Sequence, residues 1–408
     1  MKIKLFLLLG VFALITGCQN DDDGQNSPKE RKDIYLSRSE EMLTNENIDF
    51  AFRLFKQVNN AEKEQANWAI SPLSTSLALG MLANGAVGNT LEEIKNVLGF
   101  SSFELEEMNS YNQKLVKELL DLDNTTRLNI ANSVWLDHNF PVKETFVDVN
   151  QNMYNARVEN LDLTKQESIR TINNWVSEQT NKAIKEVITE TDLYVNMYLM
   201  NALYFKGIWY NPFKKSDTKQ ELFTNADGSS VNVPMMNQTK SYFWINSDDF
   251  SIVQFPYGNA AFSMVIFLPL EGKTLDQSLE KLTYEYWKEW QEQLQHVSVW
   301  VKLPRFEIDS KRRLAEDLKA LGLKDAFVEE AADFSSLTSV DEFCIDRVDQ
   351  FINIKVNEEG TEAGAVTKVH KWPTSNYSRR FHVDRPFAFM IMEKSTGTIL
   401  FMGKVTKM

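Results

Sequence analysis

In the second half of the chain, hydrophobic residues follow the patterns expected of β-strands. Every second residue from Val297 to Leu303 is apolar, which predicts a strand with one buried face. Residues 387–392 and, apart from Ser263, residues 262–268 are continuous apolar runs, which are typical of strands covered on both faces. A short polar segment containing glycine joins the second run to residues 398–403, so these two strands are predicted to form a hairpin.

The first half of the chain carries the signals of helices. Ser71 can cap a helix with its hydroxyl, and Pro72 suits the first helical position because no donor is needed there. Residues 73–88 are apolar or small on nearly every side, so this helix is predicted to be buried. Residues 90–93, Thr-Leu-Glu-Glu, have the form of a capping box that opens a second helix. Helices early and strands late favour an α+β fold.

Length and composition indicate one large domain. The chain has 408 residues, and no internal segment rich in glycine, serine or proline divides it. We therefore predict a single α+β domain over residues 41–408. Hydrophobic residues make up 43% of the chain, which is enough to bury a sizeable core. The formal net charge of -13 argues against nucleic acid as a partner.

The first 17 residues have the composition of an export signal. Two lysines precede an apolar run, residues 5–15, that is too short to span a bilayer. Residues 15–18, Ile-Thr-Gly-Cys, resemble the lipobox of bacterial lipoproteins, which implies cleavage before Cys18 and attachment of lipid to its thiol. An ordinary signal peptide with an incidental cysteine is the alternative. Residues 18–40 are predicted to form an acidic, flexible tether.

The lipobox resemblance also implies a location. The protein is expected to be an exported bacterial lipoprotein, held in the outer membrane by lipid on Cys18 and exposed at the cell surface. The acidic run at residues 21–23 resembles the surface-export signal of some Gram-negative lipoproteins. With Cys18 lipidated, Cys344 is the one remaining cysteine, so no disulfide is expected. Cys344 is predicted to be a buried core thiol, with a nucleophile as the alternative.

The sequence contains no recognisable catalytic or metal-binding motif. Its four histidines leave few candidates for a catalytic triad, and no Gly-x-Ser-x-Gly nucleophile elbow occurs. Neither paired cysteines nor two histidines at the spacing of metal ligands are found. We therefore predict no enzymatic activity, no metal site and no cofactor.

Residues 356–375 combine two kinds of pattern. From Thr361 to Val369 the odd-numbered positions are small or apolar, which is strand alternation with one face fit to be buried. Gly360 and Gly364 nevertheless make this segment a poor strand in isolation, since glycine loses the most backbone freedom on ordering. It is predicted to be a strand held in reserve. Beyond Val369, Pro373 and the polar residues after it indicate a loop.

Four segments of the chain resemble, in the same order, parts of the serpin family. Residues 67–100 look like its amino-terminal helical block, and residues 199–213 resemble its strand and gate. Residues 356–367 resemble the hinge of its reactive loop, and residues 383–387 its signature after that loop. The resemblance covers the chain from about residue 41 to the end. It implies an α+β serpin fold: a helical amino-terminal block, a large central, mostly antiparallel sheet, smaller sheets, and an exposed reactive-centre loop at about residues 358–380.

The resemblance implies a suicide inhibitor of serine endopeptidases, with papain-like cysteine endopeptidases as further targets. A target protease would attack a bait bond, and the hinge would then insert as a new strand of the central sheet while the protease is still an acyl-enzyme. A monomer is expected. The implied hinge residues are Glu358, Glu359, Gly360, Thr361, Glu362, Ala363, Gly364, Ala365 and Val366. A non-inhibitory binding or structural protein with the same fold, on the cell surface, is the alternative.

Other serpin roles transfer to individual residues. Ser71, Ser74 and Asn201 match a polar cluster beneath the opening of the sheet, and Gln350 stands where that cluster usually has histidine. Trp209 matches an aromatic side chain at the top of the opening. Arg305 and Glu358 match a salt bridge in the same place. Plain core packing is the alternative interpretation of these residues.

The position of the bait bond follows from family spacing. Counting from the hinge places it at Thr374-Ser375, whereas counting back from Pro386 gives Ser375, so the loop is one residue longer than usual. A small residue after Pro373 implies elastase-like or subtilisin-like targets. Cleavage at Lys371-Trp372 by trypsin-like enzymes is the alternative.

Overall fold

The computed structural model describes residues 29–62, 67–189, 196–341, 343–345, 347–361 and 378–408. The helices of the described residues are α1 (Arg38–Ala61), α2 (Pro72–Ala83), α3 (Gly88–Leu98), α4 (Leu105–Asp121), α5 (Glu144–Tyr154), α6 (Gln166–Gln179), α7 (Leu275–Leu279), α8 (Tyr284–Gln293) and α9 (Ala315–Leu321). The strands are β1 (Asn67–Ile70), β2 (Arg127–Asp137), β3 (Arg157–Leu161), β4 (Met197–Ile208), β5 (Lys219–Thr224), β6 (Ser230–Asn246), β7 (Phe250–Pro256), β8 (Phe262–Pro269), β9 (Gln295–Pro304), β10 (Phe306–Arg313), β11 (Asp349–Val356), β12 (Gly360–Thr361), β13 (Arg379–His382), β14 (Phe387–Glu393) and β15 (Ile399–Val405).

These strands form two sheets. A nine-stranded sheet has the order β1-β15-β14-β8-β7-β6-β9-β13, with β5 paired to β6. A six-stranded sheet has the order β10-β11-β12-β4-β2-β3. Two pairings are parallel, β2 with β3 and β13 with β9, and the other strand pairings within the described residues are antiparallel. The predicted α+β class and mostly antiparallel sheets are confirmed.

Helix α2 begins where the sequence predicts. The Ser71 hydroxyl accepts a hydrogen bond from the Ser74 amide at 3.2 Å, and Pro72 is the first helical residue. All residues of the helix except Ala78 are buried. A helix that is apolar or small on every side can be accommodated only inside the molecule, and α2 lies against β4 and β15.

The predicted capping box of the next helix is wrong. Helix α3 begins at Gly88, and its cap residue Val87 makes no side-chain cap bond. The Thr90 hydroxyl instead accepts from the amide of Asp333 at 2.9 Å. The Glu93 carboxylate accepts from the amides of residues 324 and 325 at 2.7 and 2.8 Å. Side chains that suit a local cap therefore bind a segment that is distant in sequence.

The apolar runs of the second half form the interior strands. Every residue of β8 and of β14 is buried, as the continuous apolar pattern predicts. The hairpin between β14 and β15 is confirmed, and the Glu393 amide donates to the Thr398 carbonyl at 2.8 Å across its turn. The buried Glu393 carboxylate accepts from the amides and hydroxyls of Ser395 and Thr396, which satisfies its charge within the turn.

The folded domain begins earlier than residue 41. Helix α1 starts at Arg38 with a capping box between Ser37 and Glu40. Ile34 is buried, and its amide donates to the Ser395 hydroxyl at 2.9 Å. The carboxyl end of the predicted tether, residues 18–40, is therefore packed against the domain. The predicted signal, residues 1–17, and Cys18 lie outside the described residues.

Two further features bear on the sequence predictions. Cys344 is partly exposed and so is not the fully buried core thiol expected from the sequence. Among the described residues, every helix is too short or too polar to cross a bilayer.

Candidate hinge and sheet-opening site

The first residues of the predicted hinge already lie in the six-stranded sheet. Strand β12 consists of Gly360 and Thr361 and sits between β11 and β4. Thr361 is opposite Val356 of β11 and Gly207 of β4. The expectation that the whole hinge is held in reserve is therefore wrong for these two residues. The remaining hinge residues, Glu362, Ala363, Gly364, Ala365 and Val366, lie outside the described residues.

Beyond β12, a cavity of about 70 Å³ lies between β4 and β11. Leu79 of α2 and Val176 of α6 line it, together with Met200 of β4 and Phe351 of β11. Since β12 is two residues long, no described strand fills the sheet along this stretch. The sheet is therefore joined at one end by β12 and open along the cavity.

Only glycine fits at position 360. Its φ of +152° lies in the region that L side chains rarely adopt. A Cβ atom placed there would lie 1.9 Å from the Gly207 carbonyl oxygen and 2.8 Å from Ile208 Cα. Both are backbone atoms of the neighbouring strand and cannot rotate away. The close approach of β12 to β4 thus depends on the missing side chain.

Thr361 is held by a buried aromatic pair. It is 1% exposed, and its hydroxyl lies 2.6 Å from the Tyr257 hydroxyl. The Tyr257 ring stacks on Trp209 with centroids 4.5 Å apart and an interplanar angle of 11°. A small polar side chain suits this place because it fills little volume and satisfies the buried tyrosine.

Trp209 and the residues after it bind the hinge backbone. The Trp209 amide donates to the Glu359 carbonyl at 2.8 Å, and its indole N–H donates to the Asn357 carbonyl at 2.8 Å. The Phe213 amide donates to the Glu358 carbonyl at 2.9 Å. The structure thus places Trp209 at the end of the opening, as the family resemblance implies. Its amide and its indole N–H bind the hinge backbone directly.

Arg305 and Glu358 form the expected ion pair. The Arg305 Nε atom lies 3.0 and 2.9 Å from the two Glu358 oxygens, and its Nη2 atom lies 2.5 Å from Oε1. The Thr218 hydroxyl donates to the same carboxylate at 2.6 Å. Glu358 is 1% exposed, so its charge depends on these partners. Lys215 pairs with the neighbouring Glu359 at 2.7 Å.

The protonation of Glu358 reflects a balance of two effects. Burial alone would raise the pKa of its carboxyl, but the hydrogen bonds from Arg305 and Thr218 outweigh that effect and hold the pKa below its usual value. The carboxylate therefore stays charged at neutral pH and at mildly acidic pH.

We expect the Glu358→Gln variant to unfold with a free energy about 1–3 kcal/mol lower than the wild type at pH 7. Because the folded pKa is depressed, the contribution of Glu358 is complete at pH values above about 4.5 and is lost as the pH falls through the folded pKa. The difference between the two proteins should therefore shrink below pH 4, which urea unfolding at several pH values would measure.

Glu307→Gln is the matched control for this prediction. Glu307 pairs with Lys355 at 3.1 Å between neighbouring strands, but both side chains are about half exposed. Such a pair contributes roughly 0–1 kcal/mol, so its loss should change unfolding little at any pH. A Glu358→Gln protein as stable as the control at pH 7 would contradict the structural role of the ion pair.

Gln350, at a position where the family resemblance implies histidine, makes three hydrogen bonds to residues of α2 and its cap. Its Oε1 atom accepts from the Ser71 amide at 2.8 Å, and its Nε2 atom donates to the Ser71 carbonyl at 2.9 Å and to the Thr75 hydroxyl at 3.1 Å. The Ser71 hydroxyl donates to the Leu400 carbonyl at 2.7 Å. A carboxamide thus ties the start of α2 to β11 without a titratable group.

Asn201 lies apart from this cluster. Its Nδ2 atom donates to Asn132 Oδ1 at 2.6 Å across the pairing of β4 with β2. Its own Oδ1 atom is buried and has no partner among the described residues. Ser71, Ser74 and Gln350 therefore meet at the start of α2, while Asn201 lies in the lining of the cavity between β4 and β11.

We expect Gln350→Leu to lower the free energy of unfolding by about 1–3 kcal/mol. The substitution keeps most of the volume but leaves the buried Ser71 amide without its acceptor, while the Ser71 carbonyl still accepts from the Thr75 amide and hydroxyl. The midpoint of urea unfolding measures the effect. Gln220→Leu on the exposed strand β5 is the control and should change the midpoint little. Equal midpoints for the two variants would contradict the assigned role of Gln350.

Several residues of the site have weak or no signals in the sequence. Thr75 could have been found, because it lies one helical turn after Ser71 and therefore on the same side of α2. Thr218 and Tyr257 lie far along the chain from the hinge residues that they bind. Only the folded arrangement of β4, β5 and β7 brings them to the hinge.

The predicted bait residues cannot be placed. Thr374, Ser375, Lys371 and Trp372 lie outside the described residues. The next described residue is residue 378. Strand β13 follows it and pairs in parallel with β9 at the edge of the nine-stranded sheet.

Fold and site together define a protein whose sheet accommodates residues from its own downstream segment. The chain belongs to the serpin family: residues 45–408 match the family model described as serpin (serine protease inhibitor). Leukocyte elastase inhibitor A of Rattus norvegicus is 32% identical over 378 residues, which cover 90% of this chain and 99% of that protein.

Solved structures agree with this assignment. Tengpin, a thermophilic serpin solved in its native state, superposes with a TM-score of 0.83 at 29% identity, covering 94% of this chain and 97% of tengpin. Human thyroxine-binding globulin, solved with its thyroid hormone ligand, also gives a TM-score of 0.83, at 28% identity over 90% of this chain and 99% of that protein. The family thus includes proteins named for protease inhibition and a protein named for ligand binding.

Proposed function

We propose that this protein inhibits serine endopeptidases, and papain-like cysteine endopeptidases as further targets, by covalent trapping. A target cleaves the segment after Thr361, and the hinge then inserts between β4 and β11 before the acyl-enzyme is hydrolysed. The observation that carries the proposal is β12, because Gly360 and Thr361 already occupy the place where such a strand would start. The cavity beyond β12 lies along the path of further insertion.

The free energy gained from backbone hydrogen bonds on insertion nearly equals the free-energy cost of ordering the chain. Extending residues 360–374 at roughly 3.3 Å each moves the end of the chain by about 45 Å. About two backbone hydrogen bonds per residue, at roughly 0.5–1.5 kcal/mol each, offset an ordering cost of about 1–2 kcal/mol per residue. Burial of the small side chains at alternate positions must therefore provide the net gain. The sequence has only small or apolar residues at the inward positions from 361 to 369.

The alternative is a non-inhibitory binding or structural protein of the same fold, and thyroxine-binding globulin is a structural neighbour named for binding. Two observations favour inhibition. The inward-facing hinge positions 361, 363 and 365 carry only small residues. The sheet also holds the first two hinge residues in register with both neighbouring strands.

Incubation with elastase, subtilisin, trypsin and papain tests the proposal. A complex that survives denaturing electrophoresis with at least one of these enzymes is the expected result. Cleavage by every enzyme that attacks the loop, without any such complex, would overturn inhibition and favour the binding protein.

We expect elastase-like or subtilisin-like enzymes to be the main targets. The proposed bond, Thr374-Ser375, places a small residue after proline, and the rat relative is named for inhibition of elastase. Sequencing the released carboxy-terminal peptide identifies the bond. A peptide that starts at Ser375 supports this assignment, whereas one that starts at Trp372 indicates the trypsin-like alternative at Lys371.

A surface location is part of the proposal and rests on residues 1–18 alone. Cleavage before Cys18 and lipidation of its thiol would anchor the domain to the outer membrane. Metabolic labelling with radioactive palmitate tests this, and Cys18→Ser should abolish the label. Protease treatment of intact cells should then digest the protein if it faces outward, and leave it whole if it faces the periplasm.

A further inference from the structure

A second cavity lies on the nine-stranded sheet, near the turn that joins β14 to β15. It has a volume of about 430 Å³ and is formed by residues of β6, β7, β8 and β9 together with Lys394. This volume falls within the range of small-molecule sites, which runs from roughly 300 to 1,000 Å³. The cavity is separate from the sheet opening between β4 and β11.

The charge of this cavity is opposite to that of the whole chain. Its basic lining residues are Lys240, His296 and Lys394, and none of its lining residues is an aspartate or glutamate. The chain as a whole carries a formal net charge of -13. A cavity lined by cations and lacking acidic lining residues attracts small anions.

Lys394 is the most unusual of these groups. Its ammonium lies 4.4 Å from the centre of the Phe243 ring, and no carboxylate of the described residues forms an ion pair with it. Burial, reinforced by the positive charge of Arg31, lowers the pKa of Lys394 from its usual value. Arg31 is itself paired with Asp33 at 2.6 Å. The negative charge of Asp33 opposes this shift only in part, so a bound anion would further stabilise the partly desolvated ammonium.

The walls of the cavity suit an aromatic ligand. Phe243 and His296 are cross-strand partners, and their rings lie 5.1 Å apart. Gln254 is opposite Phe243 on the other neighbouring strand, so all three side chains share one face of the sheet. Gln254 is 5% exposed, and Ser263, also in the lining, is 1% exposed. Aromatic surface and a few buried polar groups around a cation are the usual composition of a ligand site.

We propose that this cavity binds a small aromatic anion, an aryl carboxylate or sulfonate, with its charged group at Lys394 and its ring against Phe243. The cavity shares no lining residue with the cavity between β4 and β11.

A pair of fluorescent probes of nearly equal shape tests the proposal. 8-Anilinonaphthalene-1-sulfonate carries the required anion, and N-phenyl-1-naphthylamine is the same ring system without it. We expect the sulfonate to bind the full folded chain at one saturable site with an affinity at least tenfold higher than that of the neutral probe. Equal affinities, or no saturable binding of the sulfonate, would overturn the proposal.

Three variants identify the site. Lys394→Met should weaken the sulfonate at least tenfold and change the neutral probe less than twofold. Ser241→Trp, which fills the cavity, should abolish binding of both probes. Lys117→Met on the exposed side of α4 is the matched control and should bind as the wild type does. Far-ultraviolet circular dichroism verifies that each variant is folded. Unchanged sulfonate binding by either folded cavity variant would place the probe elsewhere and overturn the proposal.

Discussion

The Thr361→Arg variant is expected to be cleaved by a target protease without retaining it. Thr361 is buried between Val356 and Gly207, and its hydroxyl contacts Tyr257. A guanidinium in this place would lose its hydration without gaining a free carboxylate, which costs several kcal/mol. In the uncut variant this cost would expel position 361 from β12, so insertion after cleavage would have to bury the guanidinium. If about 3 kcal/mol of the cost is added to the insertion barrier, insertion slows by roughly 150-fold. Hydrolysis of the acyl-enzyme would then be faster than trapping.

Denaturing electrophoresis after mixing with a trapped protease measures this outcome. The wild type should give a band at the summed mass of inhibitor and protease, and Thr361→Arg should give only cleaved inhibitor. Thr361→Ser is the control, because it keeps the hydroxyl that faces Tyr257 and should still trap. Normal trapping by Thr361→Arg would contradict the insertion of position 361 into the sheet.

The Gly360→Ala variant is expected to expel β12 from the six-stranded sheet. The added Cβ would overlap the Gly207 carbonyl oxygen, and the backbone of β4 cannot yield without separating from the hinge. Loss of β12 should loosen the bond from the Trp209 amide to the Glu359 carbonyl. We expect hydrogen exchange of the Trp209 amide to accelerate at least tenfold, which corresponds to about 1.4 kcal/mol of lost protection.

Gly228→Ala separates this effect from backbone strain alone. Gly228 also has a positive φ, +83°, but no atom lies within 4 Å of a Cβ placed there. The substitution carries a conformational cost of roughly 1–2 kcal/mol and no clash. Exchange of the Trp209 amide should therefore match the wild type. Slow exchange in Gly360→Ala would show that β12 tolerates a side chain and would contradict the steric argument.

Capping patterns in the sequence predict the start of a helix reliably when all of the interacting residues belong to that helix. Ser71 and Pro72 define the start of α2 by chemistry that needs no distant partner. The same reasoning fails at residues 90–93, because Thr90 and Glu93 bind residues more than two hundred positions away. A capping pattern describes what side chains can do nearby, and tertiary contacts decide what they do.

Only some of the contacts in the hinge site could be predicted from the sequence. Family resemblance predicted a salt bridge between Arg305 and Glu358, and the structure contains it. It also grouped Asn201 with Ser71, whereas the Asn201 side chain donates to Asn132 across the pairing of β4 with β2. A family motif indicates which residues lie in one region of the fold, but it does not specify which of them form hydrogen bonds with each other.

The segment from residue 362 to residue 378 joins two different sheets. Thr361 ends β12 in the six-stranded sheet, and Arg379 begins β13 at the edge of the nine-stranded sheet. Each further residue drawn into the first sheet shortens the span that must still reach the second. In the mechanism that we propose, an intact chain could therefore insert fully only if β13 detached from β9, whereas a cut chain would meet no such requirement. The barrier to insertion in the uncut protein would thus be topological, and cleavage of one peptide bond would remove it.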